Sequence, residues 1–218
     1  MDIDSRQGCR RAFTRTDLVV VVMVVVVIII GALFVSAYTG ARRYVQGINC
    51  VNNLKQAGLD FRLWSGDSKD RFQMGYSTNV GGTLEYVPGG NAFRHFQCMS
   101  NEIKEVKFLV CPADDRLPAR SFKELSNANV SYFVGVDADE AEPSLWLAGD
   151  RNLTTNGIPV GAGLVELKAT NAIGWSKKMH KFVGNIVFAD GSVQQLSQAG
   201  VNNAFGSTGT NVNRLAVP

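Results

Sequence analysis

Hydrophobicity along this chain of 218 residues is concentrated near its start. Leu18 to Val35 is an uninterrupted run of eighteen apolar residues, mostly valine and isoleucine, without a charge. A helix needs ~20 such residues to cross a bilayer, so the run predicts a membrane-crossing helix. Arg6, Arg10, Arg11 and Arg15 precede it, and Arg42 and Arg43 follow it. That excess favours a cytoplasmic N-terminus by the positive-inside rule. Past the run, Tyr44, Ile48, Val51, Leu54, Gly58 and Phe61 recur three or four apart, which is one face of a helix. A helix from Asp17 to Leu63 would be ~70 Å long at 1.5 Å per residue, with Gly31, Gly40 and Gly47 as points where it could bend.

The pattern then changes period. Trp64 to Phe93 is rich in Gly, Ser and Asn and predicts loops with one short strand near Thr83–Val87. Strand signals follow at Val130–Val136, Ser144–Ala148 and Leu164–Lys168. The clearest hairpin is Lys181–Leu196, with Phe182, Ile186 and Phe188 on one face and Val183, Asn185 and Val187 on the other. Its turn, Ala189-Asp190-Gly191-Ser192, carries the Asp-Gly signal of a tight two-residue loop. The tail from Gly200 to Pro218 is rich in Gly, Asn and Thr and reads as a loose surface segment. The expected class is therefore α+β: a long N-terminal transmembrane helix packed on a small antiparallel sheet domain.

Composition adds limits. About 180 residues remain beyond the leader and the apolar run, enough for one compact domain. The net charge of +3, with no Lys/Arg block, gives no support for nucleic-acid binding. The four cysteines, Cys9, Cys50, Cys98 and Cys111, form no Cys-x-x-Cys pair. Cys98 and Cys111 could close a short loop by a disulfide worth ~3 kcal/mol in an oxidising compartment; the alternative is two unpaired thiols. Cys50 reads as a small apolar residue on a helix face.

The apolar run admits three readings: a plain signal anchor, a secretory signal cut after Val35-Ser36-Ala37, or a prepilin leader cut ahead of the run. Residues 12–20, Ala-Phe-Thr-Arg-Thr-Asp-Leu-Val-Val, resemble the prepilin signature Gly-Phe-Thr-Leu-Ile-Glu-Leu-Leu-Val of type IV pilins and type II secretion pseudopilins. Phe13, Thr14 and the aliphatic stretch from Leu18 match, and Asp17 stands at the acidic position. Ala12 stands where the family has glycine, and Arg15-Thr16 where it has an aliphatic pair. The resemblance implies cleavage between Ala12 and Phe13 by a prepilin peptidase and N-methylation of Phe13. It also implies pairing of Asp17 with the new amine of a neighbouring subunit, while helix capping is the other role open to that carboxylate.

Two further segments extend the likeness. Asn49-Cys50-Val51-Asn52-Asn53-Leu54-Lys55-Gln56-Ala57-Gly58-Leu59 resembles the Cys-x-Asn-Asn-Leu-Lys-Gln-x-Gly-Leu segment of one pilin-like subgroup, in which Cys111-Pro112-Ala113-Asp114 also has a counterpart. His180, separated by nine residues from Asp190-Gly191, resembles the motif that names a prepilin-processing-associated domain. On a regular hairpin, ten residues of strand separate the two by ~33 Å, so the motif reads as structural unless the strand is broken; Gly184 permits a bulge there.

The implied organisation is a leader at 1–12, a helix at 13–63 with its span at 18–35, and an extracytoplasmic domain at 64–218. The implied protein is a single-pass subunit of the inner (cytoplasmic) membrane. Its partners would be lipid, like subunits, the prepilin peptidase and the inner-membrane assembly machinery, and a type IV pilus or type II secretion pseudopilus would be its product. An anchored extracytoplasmic binding module that never polymerises is the alternative. No nucleophile, phosphate-loop or zinc-protease motif occurs, so no enzyme and no cofactor are expected. For metals, His95 and Cys98 have a spacing that suits two zinc ligands but need Cys111 or His180 to complete the set. Asp137, Asp139, Glu140, Glu142 and Asp150 are candidates for calcium, or simply a solvated acidic loop.

Overall fold

The computed structural model describes residues 14–68 and 71–218. The chain divides into two units, Met1–Tyr44 and Val45–Pro218. Helix α1 (Arg15–Asp67) is continuous, through Gly31, Gly40 and Gly47. Thr14 and Asp17 start it as a reciprocal capping pair. Asp17 N–H donates to Thr14 Oγ1 at 3.3 Å, and Thr14 N–H donates to Asp17 Oδ2 at 2.9 Å. Two of the backbone donors orphaned at a helix start are thereby satisfied.

In the first unit, the large apolar residues of α1 from Leu18 to Tyr44 are exposed. The window of greatest hydropathy averages 3.6 with none of it buried, so this helix is long and apolar enough to cross a membrane. In the second unit, Cys50, Leu54, Ala57, Phe61 and Trp64 form the buried stripe, spaced four, three, four and three. The helical face read from Tyr44 to Phe61 is thus covered only in its later part: Tyr44 is 73% exposed and Ile48 44%. Leu54, Gly58 and Phe61 belong to it as predicted.

After α1 come short 3-10 turns at Gln73–Gly75, Thr78–Val80 and Leu84–Tyr86, helix α2 (Ala92–Cys98), and further turns at Val106–Leu109 and Asn127–Asn129. The strand expected near Thr83–Val87 is thus a 3-10 turn. Nine strands follow: β1 (Tyr132–Gly135), β2 (Trp146–Asp150), β3 (Leu153–Thr155), β4 (Ile158–Pro159), β5 (Gly163–Lys168), β6 (Ile173–Trp175), β7 (Gly184–Phe188), β8 (Val193–Leu196) and β9 (Val212–Val217). Helix α3 (Gln198–Gly206) lies between β8 and β9. The six-stranded sheet has the order β5-β9-β1-β2-β7-β8, and a three-stranded sheet has β4-β3-β6. Every pairing is antiparallel. The architecture is α+β, as expected.

Both faces of the larger sheet are covered; side chains alternate between them along the strands, except in β2, where a bulge between Trp146 and Ala148 breaks the alternation and sends those two residues to opposite faces. Tyr132, Val134, Ala148, Val187 and Ala216 join the core that holds the second half of α1. Phe133, Trp146, Ile186, Phe188, Leu215 and Val217 join the other core, with Trp175, Val201 and Phe205. The C-terminal tail is therefore not loose: β9 lies between β5 and β1, with Leu215, Ala216 and Val217 buried.

The β7–β8 loop also differs from expectation. Gly191 N–H donates to Phe188 O and Phe188 N–H to Ser192 O, both at 2.9 Å, and only Gly191 of the Asp-Gly pair has positive φ (+83°). This is a three-residue loop ending in a left-handed glycine, not a two-residue turn. It packs against α1. A Cβ added at Gly58 would lie 2.6 Å from Val187 Cγ2, and Arg62 Nη1 donates to Asp190 O at 2.5 Å.

One charged residue lies on the buried stripe. Asp60 is buried, with Gln56 Nε2 donating to its Oδ1 at 2.7 Å and no partner for Oδ2 among the described residues. Burial pushes its pKa up to about 6; the Gln56 bond and Lys104 oppose the rise, and Glu102 adds to it. The unfolded value is ~3.9, so the folded state holds a proton that the unfolded state releases between about pH 4 and 6. Asp60 therefore costs nothing below that window, and its penalty grows as the pH rises through it. Asp60→Asn is expected to stabilise the protein by about 1–2 kcal/mol at pH 7 and by nothing near pH 4. Urea unfolding of both proteins across that range checks this; a constant difference would contradict it.

Candidate functional site

Three separated segments converge beside α1. Cys50, on the buried stripe, is bridged to Cys111, 61 residues later. This replaces both alternatives, a Cys98–Cys111 bridge and two unpaired thiols, and corrects the reading of Cys50 as merely apolar. Among the described residues Cys98 is unbridged: its Sγ donates to Gly81 O at 2.9 Å, and burial, aided by Glu102, pushes its pKa up to about 11. The difference arises from position, since Cys50 and Cys111 have Cα atoms 5.2 Å apart, within the range a disulfide spans.

The turn carrying Cys111 is pinned by Asp114. Its carboxylate accepts from Arg151 Nε at 2.7 Å, Arg151 Nη2 at 2.6 Å and Ser131 Oγ at 2.7 Å. Burial alone would raise the Asp114 pKa; the Arg151, Asp115 and Ser131 bonds outweigh it and hold the group below the usual carboxylate range.

His180 arrives from the loop between β6 and β7. Met179, Lys181 and Phe182 all have positive φ, between +55° and +66°. Such conformations cost non-glycine residues energy, and they persist where surrounding contacts enforce them. Here Asn152 Nδ2 is within bonding distance of the carbonyls of Ser176, Lys178 and Val183, which gathers the loop. The curl places His180 Nε2 at 3.2 Å from Cys111 Sγ and 3.5 Å from Asp150 Oδ2. Burial lowers the His180 pKa, and Asp114 opposes that.

Asp150 ends β2 with its side chain wholly buried. Asn185 donates to Oδ2 through both its backbone N–H and its Nδ2, each at 2.8 Å. Oδ1 has no partner among the described residues, and neither has the hydroxyl of Tyr132, the cross-strand neighbour of Asp150. Burial pushes the Asp150 pKa up to about 7, against the Asn185 bonds.

The other candidates lie apart. Asp190 does not meet His180 in this cluster: its Oδ1 accepts from Ser192 N–H at 2.8 Å in the hairpin loop. His95 is buried, with Nδ1 2.8 Å from Thr83 Oγ1, and burial lowers its pKa to about 4. The His95–Cys98 pair is thus engaged separately and gains neither Cys111 nor His180. Asp137 is clamped by Arg214, whose Nη2 donates to Oδ1 at 2.5 Å and whose N–H donates to Oδ2 at 2.8 Å. Asp139 accepts from Ala141 N–H at 3.0 Å. The calcium candidates Asp137, Asp139 and Asp150 therefore do not form one site, because one is neutralised by Arg214 and another faces His180. Ala12 and Phe13 lie outside the described residues.

Asp150 was the member of this cluster least visible in the sequence, because it is brought in by strand pairing. Cys50, Cys111 and His180 each sit in a segment that carried the resemblance, and that shared property was the available signal. Comparison with known proteins finds no matching family model, no matching curated protein and no matching solved structure.

Proposed function

We propose that this chain is a pilin-like subunit: a single-pass protein of the inner membrane, cut between Ala12 and Phe13, methylated at Phe13, and assembled through α1 into a type IV pilus or type II secretion pseudopilus-like fibre. The supporting observation is the run Leu18–Val35, a stretch of helix with no residue buried. So large an apolar surface needs lipid or other apolar helices around it. A retained helix supplies both in turn, first the bilayer and then copies of itself. No turnover chemistry is invoked.

Asp17 lies at the edge of the run, its carboxylate engaged by Thr14. In the fibre that carboxylate would meet the amine of Phe13 from a neighbouring copy, since an acid at the hydrocarbon edge favours a paired cation. Chemical cross-linking of the full-length chain in its native membrane tests the reading. The wild type should give a ladder of multimers, and Asp17→Ala should lose it while the domain's unfolding midpoint stays within about 0.5 kcal/mol. A monomer from the wild type, as an anchored binding module would give, contradicts assembly; a ladder unchanged by Asp17→Ala contradicts the pairing.

A further inference from the structure

Cys50, Cys111, Asp150 and His180 belong to α1, the turn after Leu109, the end of β2 and the loop before β7. One ligand atom from each lies within 4.8 Å of all the others. Cys50, Cys111 and Asp150 are wholly buried, and the His180 side chain is 6% exposed. Zinc bonds of ~2.3 Å to sulfur and ~2.0 Å to nitrogen or oxygen put tetrahedral donors ~3.3–3.8 Å apart. His180 Nε2 already stands 3.2 Å from Cys111 Sγ and 3.5 Å from Asp150 Oδ2. With the disulfide open, the sulfurs need only separate to the same spacing. Oδ1 of Asp150 is fully buried and has no hydrogen-bond partner among the described residues, so that oxygen is free to take a ligand.

We propose that the reduced chain binds one zinc ion at this cluster, held by the Cys50 and Cys111 thiolates, His180 Nε2 and the Asp150 carboxylate, and that disulfide formation expels it. Both cysteines are synthesised as thiols, so the reduced state requires no reductant. Zinc binding displaces the two thiol protons. When the bridge forms, the S–S bond takes the place of two Zn–S bonds, Zn2+ leaves, and two electrons pass to a disulfide oxidant. That oxidant takes up two protons and becomes a dithiol. The ion would join the same four segments that the bridge and its neighbours join afterwards, so α1 would be fastened to the sheet before oxidation. Four protein ligands leave no open position, which suits a structural site and not a hydrolytic one.

The test uses the full-length chain in detergent, kept reduced with a phosphine and freed of metal, then titrated with Co2+ as the optical probe for zinc. Thiolate-to-cobalt charge transfer and the intense visible bands of tetrahedral cobalt should saturate at about one equivalent and disappear when Zn2+ is added. The same chain after oxidation should show neither. Asp150→Asn and His180→Ala should weaken cobalt binding at least ~10-fold, with their folding checked by the thermal melt of the oxidised forms. Cys98→Ser should change nothing. Absence of a tetrahedral spectrum in the reduced wild type would overturn the site, as would the same spectrum in the oxidised chain or in Cys50→Ser/Cys111→Ser.

Discussion

Replacing Cys50 and Cys111 together with serine is expected to lower the unfolding free energy by about 4 kcal/mol, measured in urea with a chelator present. The estimate follows from loop closure. The bridge joins residues 61 apart, and constraining a loop of that length removes entropy chiefly from the unfolded chain. The location adds to the effect. Cys50 begins the buried stripe of α1, and Cys111 begins the turn that Asp114 holds through Arg151 and Ser131. Without the bridge, that end of the stripe is fastened by weaker contacts, such as the bond from Asn53 Nδ2 to Val110 O at 3.4 Å. An unchanged midpoint would mean that the bridge does not staple the helix to the sheet.

Phe61→Ala is expected to cost about 3–5 kcal/mol. Phe61 is wholly buried on α1, and its ring meets Phe72 at 6.1 Å and Phe96 at 5.7 Å between centroids, both edge-on. Such pairs contribute ~0.5–1.5 kcal/mol beyond the area they bury. Truncation also leaves a cavity between α1, α2 and the segment before the first 3-10 turn, and a close-packed interior closes it only in part. Phe34→Ala on the same helix is the contrast. Phe34 is 71% exposed, so its loss should leave domain stability within about 0.5 kcal/mol. Equal effects at the two positions would contradict the division of α1 into an exposed and a buried part.

The long helix was legible because its signal is local: eighteen apolar residues, then a 3.6-residue period. The β7–β8 hairpin was legible for a similar reason, since Ile186 and Phe188 alternate with Val187 along β7, just ahead of a turn marked by Asp190-Gly191. β9 was hidden because Gly, Asn and Thr surround Leu215-Ala216-Val217, and its burial comes from β5 and β1 on either side. Tyr44 and Ile48 keep the helical period yet are exposed, because the period identifies a face of a helix and not how far along it that face is covered.

The candidate site was legible only in pieces. The spacing of His180 from Asp190 separates that pair, as found, but gives no hint of Cys111 or Asp150, which His180 meets. What brings it to Cys111 is a loop with three left-handed residues, enforced by Asn152 from another part of the chain. No local pattern in Met179–Phe182 announces that conformation, since none of those residues is glycine. The sequence offered Cys98–Cys111 or two unpaired thiols, whereas α1 carries Cys50 to Cys111 across 61 residues.

The mass of the intact protein extracted from its native membrane tests most directly whether the apolar helix is kept and used. The account predicts a chain beginning at Phe13 and carrying one methyl group on its amine. A chain beginning beyond Ala37, or one still beginning at Met1, would contradict it.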